Sequence, residues 1–76
     1  MEKKIGNYTY DTSLASIVKK VTFGVFGDTD GYEETLYAMP DGKLFLYTNG
    51  GVDSKHPTEN IKRISKKEAD KFMSEN

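Results

Sequence analysis

The sequence contains no cysteine, no long hydrophobic run and no excess of charge of one sign. Without cysteine, disulfide bonds, thiolate metal sites and cysteine nucleophiles are excluded. No stretch approaches the roughly 18 consecutive apolar residues of a membrane span, and no apolar run typical of a secretion signal follows Met1-Glu2-Lys3-Lys4. We therefore expect a cytoplasmic protein without membrane contact, held together by ordinary packing.

Signals for enzymatic chemistry are also scarce. A chain of 76 residues has the size of one domain, since domains run roughly 50–200 residues, and we expect residues 1–76 to form a single domain. His56 is the only histidine, and the nucleophile turn G-x-S-x-G is absent. Gly50-Gly51 lacks the spacing of a phosphate-binding loop. We expect no catalytic residue, no metal and no cofactor, and the protein is predicted not to be an enzyme.

The formal net charge of −1 conceals a local imbalance. Residues 1–27 and residues 43–76 each carry +2, whereas residues 28–42 carry −5 and contain no basic residue. The five carboxylates of this acidic segment are Asp28, Asp30, Glu33, Glu34 and Asp41. A protein that grips nucleic acid by its phosphates needs clustered lysine and arginine. Direct nucleic-acid binding is therefore disfavoured.

The acidic segment begins with an alternation of carboxylates, Asp28-Thr29-Asp30-Gly31, that is typical of a calcium-binding loop. When Gly31 is aligned with the loop glycine, Phe26 falls at the first ligand position and Tyr37 at the twelfth. Those positions require an aspartate and a bidentate glutamate. A solvated acidic turn is the better interpretation, and no metal site is predicted.

Hydrophobic spacing predicts an α+β fold, with a small antiparallel sheet of three to five strands and two short helices. The first helix is expected over about 12–21, because Leu14, Ile17, Val18 and Val21 recur at spacings of three, four and seven after three candidate N-cap residues. The second is expected over about 66–74, after a capping box formed by Ser65 and Glu68.

Three β-elements complete the prediction. Residues 4–10 are expected to form a hairpin or a bent strand around Gly6-Asn7, and residues 60–64 a further strand. The central hairpin is expected over about 32–48, because Pro40-Asp41-Gly42 is typical of a hairpin turn. Proline presets its own φ, and glycine readily adopts the left-handed backbone conformation that the turn requires. The four predicted cross-strand pairs are Ala38 with Leu44, Tyr37 with Phe45, Leu36 with Leu46 and Thr35 with Tyr47.

This register gives the hairpin two different faces, since opposed residues share a face. One face is aliphatic, and the other carries Tyr37, Phe45 and Tyr47. If both helices cover the aliphatic face, the aromatic face is exposed as a recognition surface with an acidic rim. Alternatively, the rings are part of the core. A homodimer that hides the aromatic face is a further alternative.

The chain resembles small, mostly uncharacterised proteins of phages, plasmids and conjugative elements of Gram-positive bacteria. The resemblance follows a pattern that covers most of the chain: Tyr10-Asp11-Thr12, Glu34-Thr35-Leu36-Tyr37, Gly42 with Phe45-Leu46, Gly50-Gly51, and Ile64-Ser65 with Glu68-Ala69. It consists of turn, cap and core positions and brings no catalytic residue with it. It implies a protein from a mobile genetic element that acts inside the host bacterial cell.

Such an origin implies the anti-defence class, which includes the anti-CRISPR proteins. We therefore expect an inhibitor that acts as a nucleic-acid mimic and presents an acidic surface to a basic channel of a host defence protein, such as a CRISPR effector or another nuclease. The residues predicted to bind the partner are Asp28, Asp30, Tyr32, Glu33, Glu34, Tyr37, Phe45 and Tyr47.

The alternative is an accessory or regulatory module of the mobile element that binds nucleic acid or a replication or transfer protein. It would use the basic residues near the C-terminus, which are Lys62, Arg63, Lys66, Lys67 and Lys71. Glu68 and Asp70 interrupt this cluster, which is more typical of a solvated helix face.

Overall fold

The computed structural model describes residues 1–24 and 28–75, and most of its regular structure is antiparallel β-sheet. These residues form six strands and one helix, in the order β1 (Glu2–Ile5), β2 (Tyr8–Asp11), β3 (Ser16–Phe23), β4 (Tyr32–Ala38), β5 (Leu44–Gly50), β6 (Asn60–Arg63) and α1 (Lys66–Glu75). The predicted α+β fold with two helices is therefore wrong, because only the second of the two helices is present.

The strands form a two-stranded sheet, β1-β2, and a four-stranded sheet in the order β3-β4-β5-β6. The predicted central hairpin is confirmed, including all four predicted pairs between β4 and β5. Its turn is closed by the Met39 N–H, which donates to the carbonyl oxygen of Lys43 at 2.8 Å. Gly42 adopts a φ of 94° there, a left-handed conformation that favours glycine.

The segment predicted as the first helix, about 12–21, instead forms a turn followed by β3. Asp11 does not cap a helix, since its Oδ1 atom accepts hydrogen bonds from the backbone N–H and the hydroxyl of Ser13, at 2.9 and 2.7 Å. A register shift between Ile17 and Lys19 marks a β-bulge in β3. The apolar spacing favoured a helix, but the segment is rich in β-branched residues, and the edge of β4 offers it backbone partners.

The four-stranded sheet is covered on both faces. On the aliphatic face, α1 places Ala69 against Leu36 and Ile64 in one buried cluster. On the aromatic face, the β1-β2 hairpin places the Tyr10 ring 5.4 Å from the Phe45 ring. The aromatic rings are therefore part of the core, and a β-hairpin covers them.

The single helix of the described residues begins as the sequence predicts. The Glu68 N–H donates to the Ser65 hydroxyl oxygen at 3.1 Å, and the Ser65 N–H donates to the Glu68 carboxylate at 3.3 Å. This is the reciprocal capping box. Within residues 1–24 and 28–75, no helix has the length and apolar character needed to cross a membrane.

Candidate functional site

Antiparallel pairing places two sets of charged residues at opposite ends of the four-stranded sheet. At one end, β3 and β5 finish and β4 and β6 begin, so residues 28–31 and residues 51–59 lie there. At the other end lie the β4–β5 turn, the last residue of β6 and the start of α1. Both ends are candidate binding surfaces.

The first surface, which we call the acidic end, consists of the side chains of Asp28, Asp30 and Asp53. All three residues are exposed. Two backbone hydrogen bonds join their loops, because the Gly51 N–H donates to the Gly31 carbonyl oxygen and the Asp53 N–H donates to the Thr29 carbonyl oxygen, each at 2.9 Å. Within the described parts of the chain, none of the three carboxylates forms an ion pair. The acidic end therefore presents unneutralised negative charge to solvent.

Glu33 and Glu34 follow in β4 but are already paired. Consecutive strand residues point to opposite faces, and the two carboxylates have different partners. Glu33 lies 3.4 Å from the Lys20 ammonium. Glu34 lies 2.9 Å from Nε2 of His56, with only 14% of its side chain exposed. Glu33 and Glu34 therefore stabilise the fold through these pairs and add little unpaired negative charge to the acidic end.

Asp41, the last carboxylate of the acidic segment, lies in the β4–β5 turn at the opposite end of the sheet. Its two oxygens accept hydrogen bonds from the Tyr8 hydroxyl at 2.9 Å and from the Lys43 N–H at 3.1 Å. The Lys43 N–H and then the Tyr8 hydroxyl hold the pKa of the Asp41 carboxyl below its ordinary value. The five carboxylates of residues 28–42 therefore do not lie on one surface.

The four aromatic residues of the predicted binding set pack against other side chains. Phe45 is fully buried, and the Tyr37 ring stacks on it at 5.1 Å. Tyr32 stacks on Phe23 at 4.5 Å. Phe45 cannot reach a partner in this fold, and Tyr32 and Tyr37 are only partly exposed.

Tyr47, also partly exposed, donates its hydroxyl to the Glu59 carboxylate at 2.9 Å. Burial, together with the hydrogen bond and the negative charge of Glu59, raises the pKa of Tyr47 to about 12. The phenol therefore stays protonated and bonded to Glu59 across the neutral pH range. Of the eight residues predicted to bind a partner, only Asp28 and Asp30 are exposed.

The second surface, which we call the basic groove, lies at the turn end and has a volume of about 580 Å³. Its walls include the cationic residues Lys43, Arg63 and Lys66 and the aromatic residues Tyr8 and Tyr10. The predicted basic cluster is divided, because Lys62 pairs with Leu46 on the helix side of the sheet while Arg63 pairs with Phe45 on the other side. Only Arg63 and Lys66 of that cluster reach the groove.

The described residues contain no group of three or more histidine, aspartate or glutamate side chains that could hold a metal ion. Phe26, at the first position of the calcium-loop alignment, lies outside the described residues.

No family model, curated protein or solved structure matches this chain. The acidic end and the basic groove are therefore inferred from the geometry of this chain alone.

Sequence reasoning missed two residues of these surfaces. Asp53 joins the acidic end only because its loop pairs with residues 28–31, and nothing in the local sequence predicts that contact. Lys43 reaches the groove from the turn of the central hairpin. Its place beside the Tyr8 ring, 5.1 Å from the ring centre, depends on how the β1-β2 hairpin docks.

Proposed function

We propose that this protein is a non-enzymatic inhibitor from a phage or another mobile genetic element. It binds a host defence protein and occupies a basic nucleic-acid-binding surface of that protein, and a CRISPR effector is the target we consider first. The resemblance of the sequence to small mobile-element proteins gives the biological context. The exposed carboxylates of the acidic end give the physical basis for binding to a positively charged surface.

The observation that carries this proposal is the joining of two loops that hold three exposed, unpaired carboxylates. Asp28 and Asp30 lie in one loop, and Asp53 lies in the other, which is hydrogen-bonded to the first. A set of fixed negative charges can replace phosphates in a channel lined by lysine and arginine, and such complementarity increases the association rate and the specificity. Because two backbone hydrogen bonds tie the loops together, binding costs less backbone entropy than it would with two free loops.

Glu33 and Glu34 have a different role in this proposal. Each would have to leave an existing partner, Lys20 or His56, before it could bind a new one. We therefore assign the main contacts to Asp28, Asp30 and Asp53, with Tyr32 supporting the loops from the sheet.

A charge-reversal experiment tests the proposal. The acidic-end variant carries Asp28→Lys, Asp30→Lys and Asp53→Lys, and the matched control carries Glu2→Lys, Asp70→Lys and Glu75→Lys, which changes the net charge equally outside residues 28–31 and 51–59. Each protein is added to purified CRISPR effector nucleases from Gram-positive hosts, and target-DNA cleavage is measured. We expect wild type and control to inhibit one effector and the acidic-end variant to be weaker by about tenfold or more, since opposed like charges cost several kcal/mol.

Two results would contradict the proposal. One is inhibition by the acidic-end variant at wild-type strength. The other is the absence of any effect of wild type on the nucleases, together with a pull-down from host lysate that recovers no nuclease or other defence protein. Circular dichroism of each variant checks that it is folded.

The alternative role, an accessory module that binds nucleic acid or a replication or transfer protein, has less support. The basic side chains near the C-terminus are divided between two faces of the sheet, so they do not form one continuous stripe for a phosphate backbone. A mobility-shift titration separates the two roles. Salt-sensitive binding of DNA or RNA by the wild-type protein would favour the alternative.

A further inference from the structure

The basic groove is bounded by two glycine turns and by the junction of β6 with α1. Gly6 of the β1–β2 turn and Gly42 of the β4–β5 turn both line it. The groove volume of about 580 Å³ lies in the range of roughly 300–1,000 Å³ that is typical of small-molecule sites. Its size therefore suits a small ligand.

Three cationic side chains reach this groove from three different elements. Lys43 precedes β5, Arg63 ends β6 and Lys66 begins α1. In the portion of the chain that the structure describes, none of the three forms an ion pair. The Lys43 ammonium lies over the Tyr8 ring, 5.1 Å from its centre, which is within the range of a cation–π contact.

Two carboxylates close in sequence to these cations accept hydrogen bonds of their own. Asp41 accepts hydrogen bonds from the Tyr8 hydroxyl and the Lys43 N–H. Glu68 is held in the capping box by Ser65. Neither side chain lines the groove. The negative charge of Asp41 offsets part of the Lys43 charge. Among the described residues no carboxylate pairs with Arg63 or Lys66, so their positive charge is left for a ligand.

We propose that the basic groove binds a small phosphate-bearing molecule. A phosphate monoester carries up to two negative charges, which suits three cations that line one groove better than a single carboxylate does. The planar guanidinium of Arg63 can donate two parallel hydrogen bonds to phosphate oxygens, and the two lysines add point charges. The partly exposed Tyr8 ring provides an aromatic wall for the organic part of the ligand, and the buried Tyr10 ring packs against it with the ring centres 4.7 Å apart.

This site is separate from the acidic end, at the opposite end of the sheet, and it does not depend on the inhibitor role. The acidic-end variant is therefore expected to bind the phosphate ligand as the wild type does. Loss of the groove's cations is likewise expected to leave the acidic loops in place. Failure of either proposal can thus be recognised without reference to the other.

The test is an amide NMR titration of the full chain at constant ionic strength. The probes are adenosine 5′-monophosphate, inorganic phosphate and adenosine, which lacks the phosphate. We expect saturable shifts at residues 5–8, 42–44 and 63–66 with both phosphate probes and none with adenosine. Tighter binding of the monophosphate than of inorganic phosphate indicates a nucleoside contact with Tyr8, and equal binding indicates that phosphate alone is recognised.

Variants locate the site. Arg63→Gln is expected to weaken phosphate binding by about tenfold or more, because a charge-assisted hydrogen bond is lost. Lys62→Gln removes the same charge from the neighbouring position on the helix side of the sheet and is expected to have no effect. Lys66→Gln serves as a second variant if Arg63→Gln does not retain the dispersed amide spectrum of a folded protein.

Three results would overturn the inference. The first is no saturable shift with either phosphate probe, and the second is unchanged binding by Arg63→Gln. The third is binding of a single-stranded oligonucleotide without terminal phosphates at these residues more tightly than the monophosphate. That result would identify the groove as part of a nucleic-acid surface.

Discussion

The imidazole of His56 and the carboxylate of Glu34 form a largely buried pair, with Nε2 and Oε2 2.9 Å apart. The two residues are 22 positions apart in the chain, and 20% and 14% of their side chains are exposed. The edge of the His56 ring also contacts Tyr32, with the ring centres 5.2 Å apart. This pair fixes the long loop between β5 and β6 against β4, and it supports the loop that carries Asp53.

Glu34→Ala is expected to destabilise the protein by about 1–3 kcal/mol, because it leaves the half-buried His56 nitrogen without its partner. Glu33→Ala is the matched control at the next position, where the pair with Lys20 is more exposed and its loss costs within about 1 kcal/mol. Urea unfolding measures both free energies. Equal costs for the two variants would contradict the structural role assigned to Glu34.

Phe45→Ala is expected to cost about 3–5 kcal/mol, since a fully buried ring is replaced by a cavity. Stabilities of roughly 0.05–0.15 kcal/mol per residue are typical, so much of the fold's stability would be lost. Ile17→Ala is the control, because Ile17 is 61% exposed on β3, and its truncation is expected to change stability by no more than about 0.5 kcal/mol. Thermal unfolding followed by circular dichroism compares the two. A loss of stability for Ile17→Ala well above that value would show that the Ile17 side chain is buried rather than exposed on β3.

Tyr47 is expected to titrate with a pKa of about 12, and Glu59→Gln should lower that value because the negative charge is removed and a neutral amide oxygen is a weaker acceptor for the phenol. Burial, the largest cause of the shift, remains, so the pKa should stay above the ordinary value of about 10. NMR of tyrosine labelled at Cζ resolves the individual phenols. An unchanged Tyr47 pKa in Glu59→Gln would contradict the bond to Glu59.

The same shift predicts how stability responds to alkaline pH. The pKa of Tyr47 is higher in the folded chain than in the unfolded chain, so folding favours the protonated phenol. The stability that the protonated Tyr47 phenol contributes is fully present below pH 10 and is lost as the pH rises toward 12. Tyr47→Phe should show a smaller loss of stability over this interval in urea unfolding. An identical pH dependence in wild type and Tyr47→Phe would disprove the linkage.

Gly51→Ala is expected to disturb the acidic end, because a Cβ at this position would collide with the backbone carbonyl group of Thr29. Amide shifts should change across residues 28–31 and 51–54, and inhibition in the cleavage assay should weaken. Gly42→Ala is the control. A Cβ there has open space but meets a left-handed backbone that costs about 1–2 kcal/mol, so stability should fall while the acidic end keeps its amide spectrum. An undisturbed acidic end in Gly51→Ala would refute the predicted collision.

Local signals predicted several elements correctly. Pro40-Asp41-Gly42 set the register of the central hairpin, and Ser65 with Glu68 marked the start of α1, because turns and caps depend on residues close in sequence. The spacing from Leu14 to Val21 was misleading, since a four-residue apolar pattern fits a helix and an edge strand with a bulge. Backbone pairing with β4 decided between them, and that partner is distant in sequence.

The sequence by itself determined the hairpin register, the capping box and the imbalance of charge along the chain. The tertiary structure alone decided that the β1-β2 hairpin covers the aromatic face, that Asp53 joins Asp28 and Asp30, and that Lys43 meets Arg63 and Lys66 at one groove. The physical reason is that these contacts join segments far apart in the chain. Their free energy comes from burial and from hydrogen bonds that form only when the whole sheet is assembled.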